Sequence, residues 1–186
     1  VSRMHRRERI LVVGTGLSGS VVARELADHG YGVSIIDRRN HVAGNCYDYV
    51  SDLGIRVHKY GPHIFHTSNR TVVDWLSRFC EWVDYEHKVV AMLADGRLVP
   101  FPPNRETLRY VIPENLADVF YRPYTKKMWG LSLEELNRSI INRVPMRDDD
   151  EDRYFPKDTF QKLPRDGYTS MVNHILDHPL IEVRLD

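Results

Sequence analysis

The chain has 186 residues and a mass of 21.8 kDa, enough for one full domain or one domain plus part of a second. With 42% hydrophobic and 28% charged residues it has an ordinary globular composition, which excludes an intrinsically disordered chain. Twenty-six basic residues balance 26 acidic ones, so the formal net charge of +0 supplies no global pull toward nucleic acid or an anionic membrane.

The start, Val1 to Arg9, is basic, but the apolar run behind it, Ile10 to Val13, is far too short for a signal segment or a membrane span. That run is closed by glycine and predicts a strand buried on both faces. Leu17, Val21, Val22 and Leu26 then recur at helical spacing up to Gly30, and Val33 to Ile36 form a second apolar run ending at Asp37. Strand, helix and strand fit within about 30 residues, as a right-handed βαβ crossover requires. Ser68 or Asn69 can cap a short helix carrying Val72, Val73, Trp75, Leu76 and Phe79. Val89 to Leu93 and Arg97 to Phe101 flank Asp95-Gly96, a two-residue hairpin signal.

From Asn104 to Ile141 the pattern is helical but interrupted at Pro113 and Pro123, which predicts several short helices. The acidic run Asp148 to Asp152 reads as a mobile surface loop. Gly167 to His178 reads as a helix, and Ile181 to Leu185 as a strand, so the sheet begun at residue 10 looks unfinished. The expected fold is α/β: a Rossmann-like domain with a parallel sheet, a partial helical domain and a small antiparallel β region. The expected segments are a βαβ unit with the loop after it (1–67), a helix and hairpin region (68–103), a helical segment (104–147), and a mobile loop returning to the first domain (148–186).

Gly14-Thr-Gly-Leu-Ser-Gly19 is G-x-G-x-x-G at a strand-to-helix junction, the place where that motif carries meaning. Gly14 allows the turn, Gly16 lets a pyrophosphate approach the backbone, and Gly19 permits close helix–strand packing. The amides of Leu17 and Ser18 open the helix and face the phosphates with its positive dipole end. Asp37, at the end of the second strand, suits ribose hydroxyls and argues against a 2′-phosphate, which leaves NAD and FAD. The segment after it, Arg38-Arg39-Asn-His-Val-Ala-Gly44-Asn45, is similar to the R-x-x-x-G-G stretch of two-domain flavoproteins and favours FAD. Ala43 replaces one of its two usual glycines.

Further along, Arg39-Asn-His-Val-Ala-Gly-Asn-Cys-Tyr47 and His58-Lys-Tyr-Gly-Pro-His-Ile-Phe-His-Thr67 resemble the UDP-galactopyranose mutase family. So do Pro113-Glu-Asn-Leu116, Tyr124-Thr-Lys-Lys-Met-Trp-Gly130, Arg143-Val-Pro-Met-Arg147 and Pro164-Arg-Asp-Gly-Tyr-Thr169, in the same order. The resemblance implies a cytoplasmic isomerase that interconverts UDP-galactopyranose and UDP-galactofuranose, a cell-wall sugar precursor, with no net redox change. It implies a requirement for reduced FAD, whose N5 bonds to the anomeric carbon while UDP leaves. UDP-galactose or a related nucleotide sugar is the implied partner, with no nucleic acid and no membrane insertion, and a homodimer is left open.

By the same resemblance, Arg143 corresponds to a mobile-loop arginine that clamps the diphosphate and His63 to a histidine beside the flavin that responds to its redox state. Arg38, Gly44 and Asn45 fall in the cofactor segment. Phe120 and Tyr124 correspond to residues around the uracil, Thr125 lies in the same block, Trp129 marks the mobile loop, and Tyr154 corresponds to a tyrosine near the diphosphate. Read without the family, Phe120 and Tyr124 are equally well core aromatics at i and i+4. His58, His63 and His66 lack the spacing and the additional ligands of a metal site, so no metal is expected.

The chain departs from the family at three points. Pro62 stands where alanine is common, the passage from Asn104 to Pro113 is far shorter, and the chain reaches only about the middle of the family's length. Another nucleotide-sugar mutase, an oxidoreductase of the flavin amine-oxidase type, and an incomplete non-catalytic fragment therefore remain as alternatives.

Overall fold

A computed structural model describes residues 9–137 and 146–186. The chain divides into two compact units, residues 1–85 with 159–186, and residues 86–158.

The first unit is built on a parallel sheet. Strand β1 (Arg9–Val13) leads through the glycine turn into helix α1 (Leu17–Asp28), and β2 (Gly32–Asp37) returns beside β1 in parallel register, Val13 opposite Ile36. Strand β10 (Ile181–Leu185) joins the far side of β2, also parallel, giving the order β1-β2-β10. The apolar runs read from the sequence are thus strands of one Rossmann-like sheet. Alternation along them decides what is covered. Val33 and Ile35 of β2 are fully buried with Ala23 and Ala27 of α1, and with Val172 and Leu176 of helix α4 (Gly167–Leu176). On the opposite face Leu11 and Val13 are 61% and 75% exposed.

Helix α4 has a second apolar side, Met171 and Ile175, which packs with Tyr168 against Leu76 and Phe79 around helix α2 (Arg70–Leu76). Asn69 caps α2 by accepting from the Val72 N–H at 3.3 Å. Between β2 and α2 lie the antiparallel pair β3 (Asp48–Val50) and β4 (Arg56–His58) and strand β5 (Phe65–Thr67). A second antiparallel sheet runs in the order β5-β9-β6, from β6 (Trp82–Asp84) and β9 (Phe160–Pro164). Cys46 and Cys80 are free thiols.

The second unit centres on the hairpin of β7 (Val89–Met92) and β8 (Leu98–Phe101). Its connection is longer than the two-residue turn that Asp95-Gly96 suggests. The Leu93 N–H donates to the Arg97 carbonyl at 2.8 Å, leaving three residues in the loop. Gly96 takes φ +86°, so it serves as the left-handed residue of a three-residue loop. Beyond the hairpin come short 3₁₀ turns at Thr107–Arg109 and Pro113–Asn115, a π-helical turn at Ala117–Tyr121, and helix α3 (Arg122–Trp129). Pro113 opens its 3₁₀ turn, where the missing N–H costs nothing, whereas Pro123 follows directly on the π turn within a helical run that does not break at it. Val99, Val111, Leu116 and Phe120 form the core of this unit.

The acidic run 148–152 is held by basic side chains. Arg105 reaches the Asp150 carboxylate and the Asp148 carbonyl, Lys88 reaches Asp152, and Arg153 pairs with Glu151. Arg147 donates to the carbonyls of Glu151, Arg153 and Tyr154, closing the loop around its guanidinium.

Candidate functional site

The glycine turn stands at the C-terminal end of the parallel strands, where open α/β sheets bind ligands. Gly14 adopts φ +101° and donates its N–H to the Ile36 carbonyl at 2.7 Å, extending the ladder by one bond before the chain leaves the sheet. A Cβ on Gly19 would lie 1.9 Å from the Gly14 carbonyl oxygen, so only glycine lets the helix pass that close to the turn. Gly16 is different. Its backbone is ordinary, φ −67°, and a Cβ there would meet only Gly44 Cα at 4.0 Å. Among the described residues nothing demands glycine at 16, and its missing side chain leaves space above the helix start. Gly16 is also the N-cap of α1, with no side chain capping the first-turn amides. Open amides, the dipole end and a bare Cα together suit a pyrophosphate.

Asp37 faces this turn. Its Oδ2 accepts from the Thr15 N–H at 2.7 Å and from the Thr15 hydroxyl at 2.8 Å, and its Oδ1 accepts from the Arg39 N–H at 3.0 Å. Burial raises the Asp37 pKa, but these hydrogen bonds and the Arg39 charge outweigh it, and the net shift is downward. The group is therefore a carboxylate at neutral pH, an acceptor only.

The segment after Asp37 is tied to the same turn. The Ala43 N–H donates to the Thr15 carbonyl at 3.0 Å, and Gly44 packs against Gly16 so tightly that a Cβ would lie 3.0 Å from Gly16 Cα. Ala43, in place of the usual glycine, is held at φ +71°. The exposed Arg38 makes none of these bonds, whereas Arg39 donates to Asn45 Oδ1 at 2.9 Å and lies over the Tyr60 ring at 4.6 Å. The Tyr60 hydroxyl meets Nε2 of the buried His41 at 2.7 Å. His41 Nδ1 lies 2.8 Å from the Val42 carbonyl, which can only accept, so Nδ1 carries the proton and Nε2 accepts from Tyr60 in the neutral ring. His41 also stacks on Tyr47 with centroids 3.9 Å apart.

His63 lies in the loop between β4 and β5. Its Nδ1 lies 2.9 Å from the Gly61 carbonyl and therefore carries the proton, which leaves Nε2 as the lone-pair nitrogen of the neutral ring. Its N–H donates to His58 Nδ1 at 3.1 Å. Among the described residues no group of three or more His, Cys, Asp or Glu side chains is placed to hold a metal ion.

The residues expected on the nucleotide-sugar side belong to the second unit. Phe120 is 8% exposed and packs on Phe101 at 5.7 Å, and Thr125 is buried too. Phe120 is thus a core aromatic, while Tyr124 (60% exposed) and Trp129 (50%) present their rings to the surface. Residues 117–121 form a π turn, which runs i to i+5, so Phe120 shares its inward side with Thr125 instead of Tyr124. The Tyr154 N–H donates to the His87 carbonyl at 2.7 Å, and its ring sits against His87 and Phe155. Arg143 lies outside the described residues.

Thr15, Arg39, His41 and Tyr60 were not singled out as site residues from the motif. Thr15 occupies a position the motif leaves free, and the Arg39–Tyr60–His41 chain exists only once β4 returns beside β3.

The sheet, the turn and the acid define a Rossmann-like dinucleotide-binding protein. Residues 12–79 match a family model described as an NAD(P)-binding Rossmann-like domain, and residues 119–186 match one described as UDP-galactopyranose mutase. By sequence the chain is similar to UDP-galactopyranose mutases, and it spans about half the length of the curated relatives it matches. It is 36% identical to a probable UDP-galactopyranose mutase of Klebsiella pneumoniae, over 96% of this chain and 55% of that one. It is 33% identical to a dTDP-fucopyranose mutase of Escherichia coli, over 95% and 56%. The first alignment runs over 214 positions, more than this chain contains, so that relative carries residues absent here. The crystal structure of a reduced UDP-galactopyranose mutase shares the fold, with a TM-score of 0.70 at 17% identity, over 95% of this chain and 48% of that one. Among the described residues no helix is long and apolar enough to cross a membrane.

Proposed function

We propose that the chain forms the dinucleotide-holding part of a flavin-dependent UDP-galactopyranose mutase, an isomerase interconverting UDP-galactopyranose and UDP-galactofuranose in the cytoplasm. The observation that carries this reading is the bare Cα of Gly16 beside uncapped helix amides, with the Asp37 carboxylate held at the same turn.

In this reading the amides of Gly16, Leu17 and Ser18 hold the FAD pyrophosphate, and Asp37 accepts from a ribose hydroxyl. Gly44 keeps the following segment low enough to leave the cofactor path open, and Arg39 pins Asn45 within that segment. Reduced FAD, when bound, supplies the nucleophile and electron reservoir of the isomerisation. His63, its Nδ1–H committed to Gly61, offers Nε2 as an acceptor toward the flavin. Tyr124 and Trp129 offer exposed faces for stacking on the base, and Arg143 offers the planar fork that binds two phosphate oxygens. The similarity to a dTDP-fucopyranose mutase makes a thymine nucleotide sugar the second substrate to assay.

Purification of the 186-residue protein should yield a yellow flavin spectrum or one that appears on adding FAD. After dithionite reduction, UDP-galactofuranose should convert to the pyranose. A colourless protein that takes up no FAD overturns the proposal. Arg143→Ala should cut turnover by about a hundredfold or more while flavin content stays unchanged.

A further inference from the structure

Thr15 fills a position that G-x-G-x-x-G leaves open to any residue, yet it is completely buried and fully engaged. Its carbonyl accepts from the Ala43 N–H and the Ser20 hydroxyl at 3.0 and 3.1 Å. Both of its donors, N–H and hydroxyl, converge on a single oxygen of Asp37, Oδ2. Among the described residues, Oδ1 receives only the Arg39 N–H. A carboxylate oxygen has about two acceptor sites. Oδ2 is therefore saturated by Thr15, and the remaining acceptor site of Asp37 is on Oδ1.

We infer that Thr15 is a positioning residue that locks Asp37 so that one oxygen, Oδ1, reads one hydroxyl of the dinucleotide ribose. A carboxylate free to rotate would offer both oxygens to the vicinal diol. Here Thr15 takes one of them, fixes the side-chain torsion and makes the contact single-point. The backbone N–H of residue 15 supplies half of this lock whatever the side chain, and the hydroxyl supplies the other half. Valine, nearly the same shape, removes only that half and places a methyl group against Oδ2.

The inference rests on the dinucleotide reading, and its test separates the two. Calorimetric titration of the full chain with ADP, 2′-deoxy-ADP and 3′-deoxy-ADP measures what each hydroxyl contributes. In the wild type, losing one of the two hydroxyls should weaken binding about tenfold, one charge-assisted hydrogen bond, while losing the other changes it less than about threefold. Thr15→Val should bring the larger ratio below about threefold, and Thr15→Ser should restore it, because serine keeps the hydroxyl. Should the valine protein fail to fold, Thr15→Ala gives the same comparison. A purely structural role for Thr15 would lower the unfolding midpoint and weaken all three ligands equally, leaving the ratios unmoved, and that result overturns the inference. Equal penalties for both hydroxyls in the wild type overturn it as well. A protein that binds neither FAD nor ADP instead sinks the dinucleotide reading and the inference with it.

Discussion

Asp48 and Thr169, 121 positions apart, exchange three hydrogen bonds. The Asp48 N–H donates to Thr169 Oγ1 at 2.9 Å, that hydroxyl donates to the Asp48 carbonyl at 2.8 Å, and the Thr169 N–H donates to Asp48 Oδ1 at 2.9 Å. The second carboxylate oxygen takes the Tyr168 N–H at 2.8 Å. Helix α4 has no side-chain cap of its own from Asp166. A strand residue from the first third of the chain caps it instead, with Arg56 beside the carboxylate at 3.9 Å.

Removing that cap should be costly because the amides it satisfies are shut away from water. Asp48→Ala should destabilise the protein by roughly 3 kcal/mol, since two donors lose their acceptor and the Arg56 charge loses its partner. Asp48→Asn should cost less, because its amide oxygen keeps one of the bonds. Urea denaturation of the three proteins measures this directly, and a change for Asp48→Ala within about 0.5 kcal/mol would contradict it.

The glycines of the turn should separate by role. Gly19→Ala drives a methyl group into the Gly14 carbonyl, so stability and dinucleotide binding should fall together, stability by about 1–3 kcal/mol or more. Gly16→Ala meets open space, so stability should fall by no more than about 1 kcal/mol, the cost of alanine at an N-cap. Dinucleotide binding should nevertheless be lost. Thermal melts paired with FAD titration distinguish the two, and tight FAD binding by Gly16→Ala would remove the pyrophosphate from that gap.

Acid should loosen the second unit through Glu151. The Arg153 side chain, helped by its backbone N–H, holds the Glu151 pKa down at about 2 from an ordinary 4.5. A depressed carboxylate contributes stability that is complete above its unfolded value and drains away as pH falls toward the folded one. The loss therefore runs from about pH 4.5 down to about 2. Glu151→Gln should be less stable than the wild type at neutral pH, and the gap should narrow across that window in urea melts. A constant gap from neutral pH to pH 2 would show that the ion pair contributes nothing.

Strand β1 has a bare face. Parallel strands are normally covered on both sides, yet Leu11 and Val13 are mostly exposed and β1 is an edge of its sheet among the described residues. The 186-residue chain should bind a hydrophobic dye and self-associate. Leu11→Thr combined with Val13→Thr should reduce both without lowering the unfolding midpoint. Light scattering and dye fluorescence decide it, and unchanged values in the double variant would mean that the association surface lies elsewhere.

Much of the first unit was legible residue by residue. The runs Ile10–Val13 and Val33–Ile36, the glycine spacing from 14 to 19 and the acid at 37 are local signals, and each describes a torsion or a face that neighbours in the chain already determine. The aromatic pair at 120 and 124 was not legible in the same way. Helical spacing places the two on one side, but the π turn at 117–121 rotates them apart and sends Phe120 into the core. That choice depends on Phe101 and Val99 across the fold, which spacing does not register.

By itself the sequence determined the strand–turn–helix–strand order, the glycine torsions and the presence of a carboxylate at the strand end, because periodicity and backbone freedom are properties of adjacent residues. Only the tertiary structure decided that Thr15 occupies one oxygen of that carboxylate, that Asp48 caps a helix beginning at Gly167, and that β10 lies beside β2. Those pairings join groups far apart in the chain. They form because burial leaves each donor without water, and the nearest acceptor is set by packing, to which no local pattern refers.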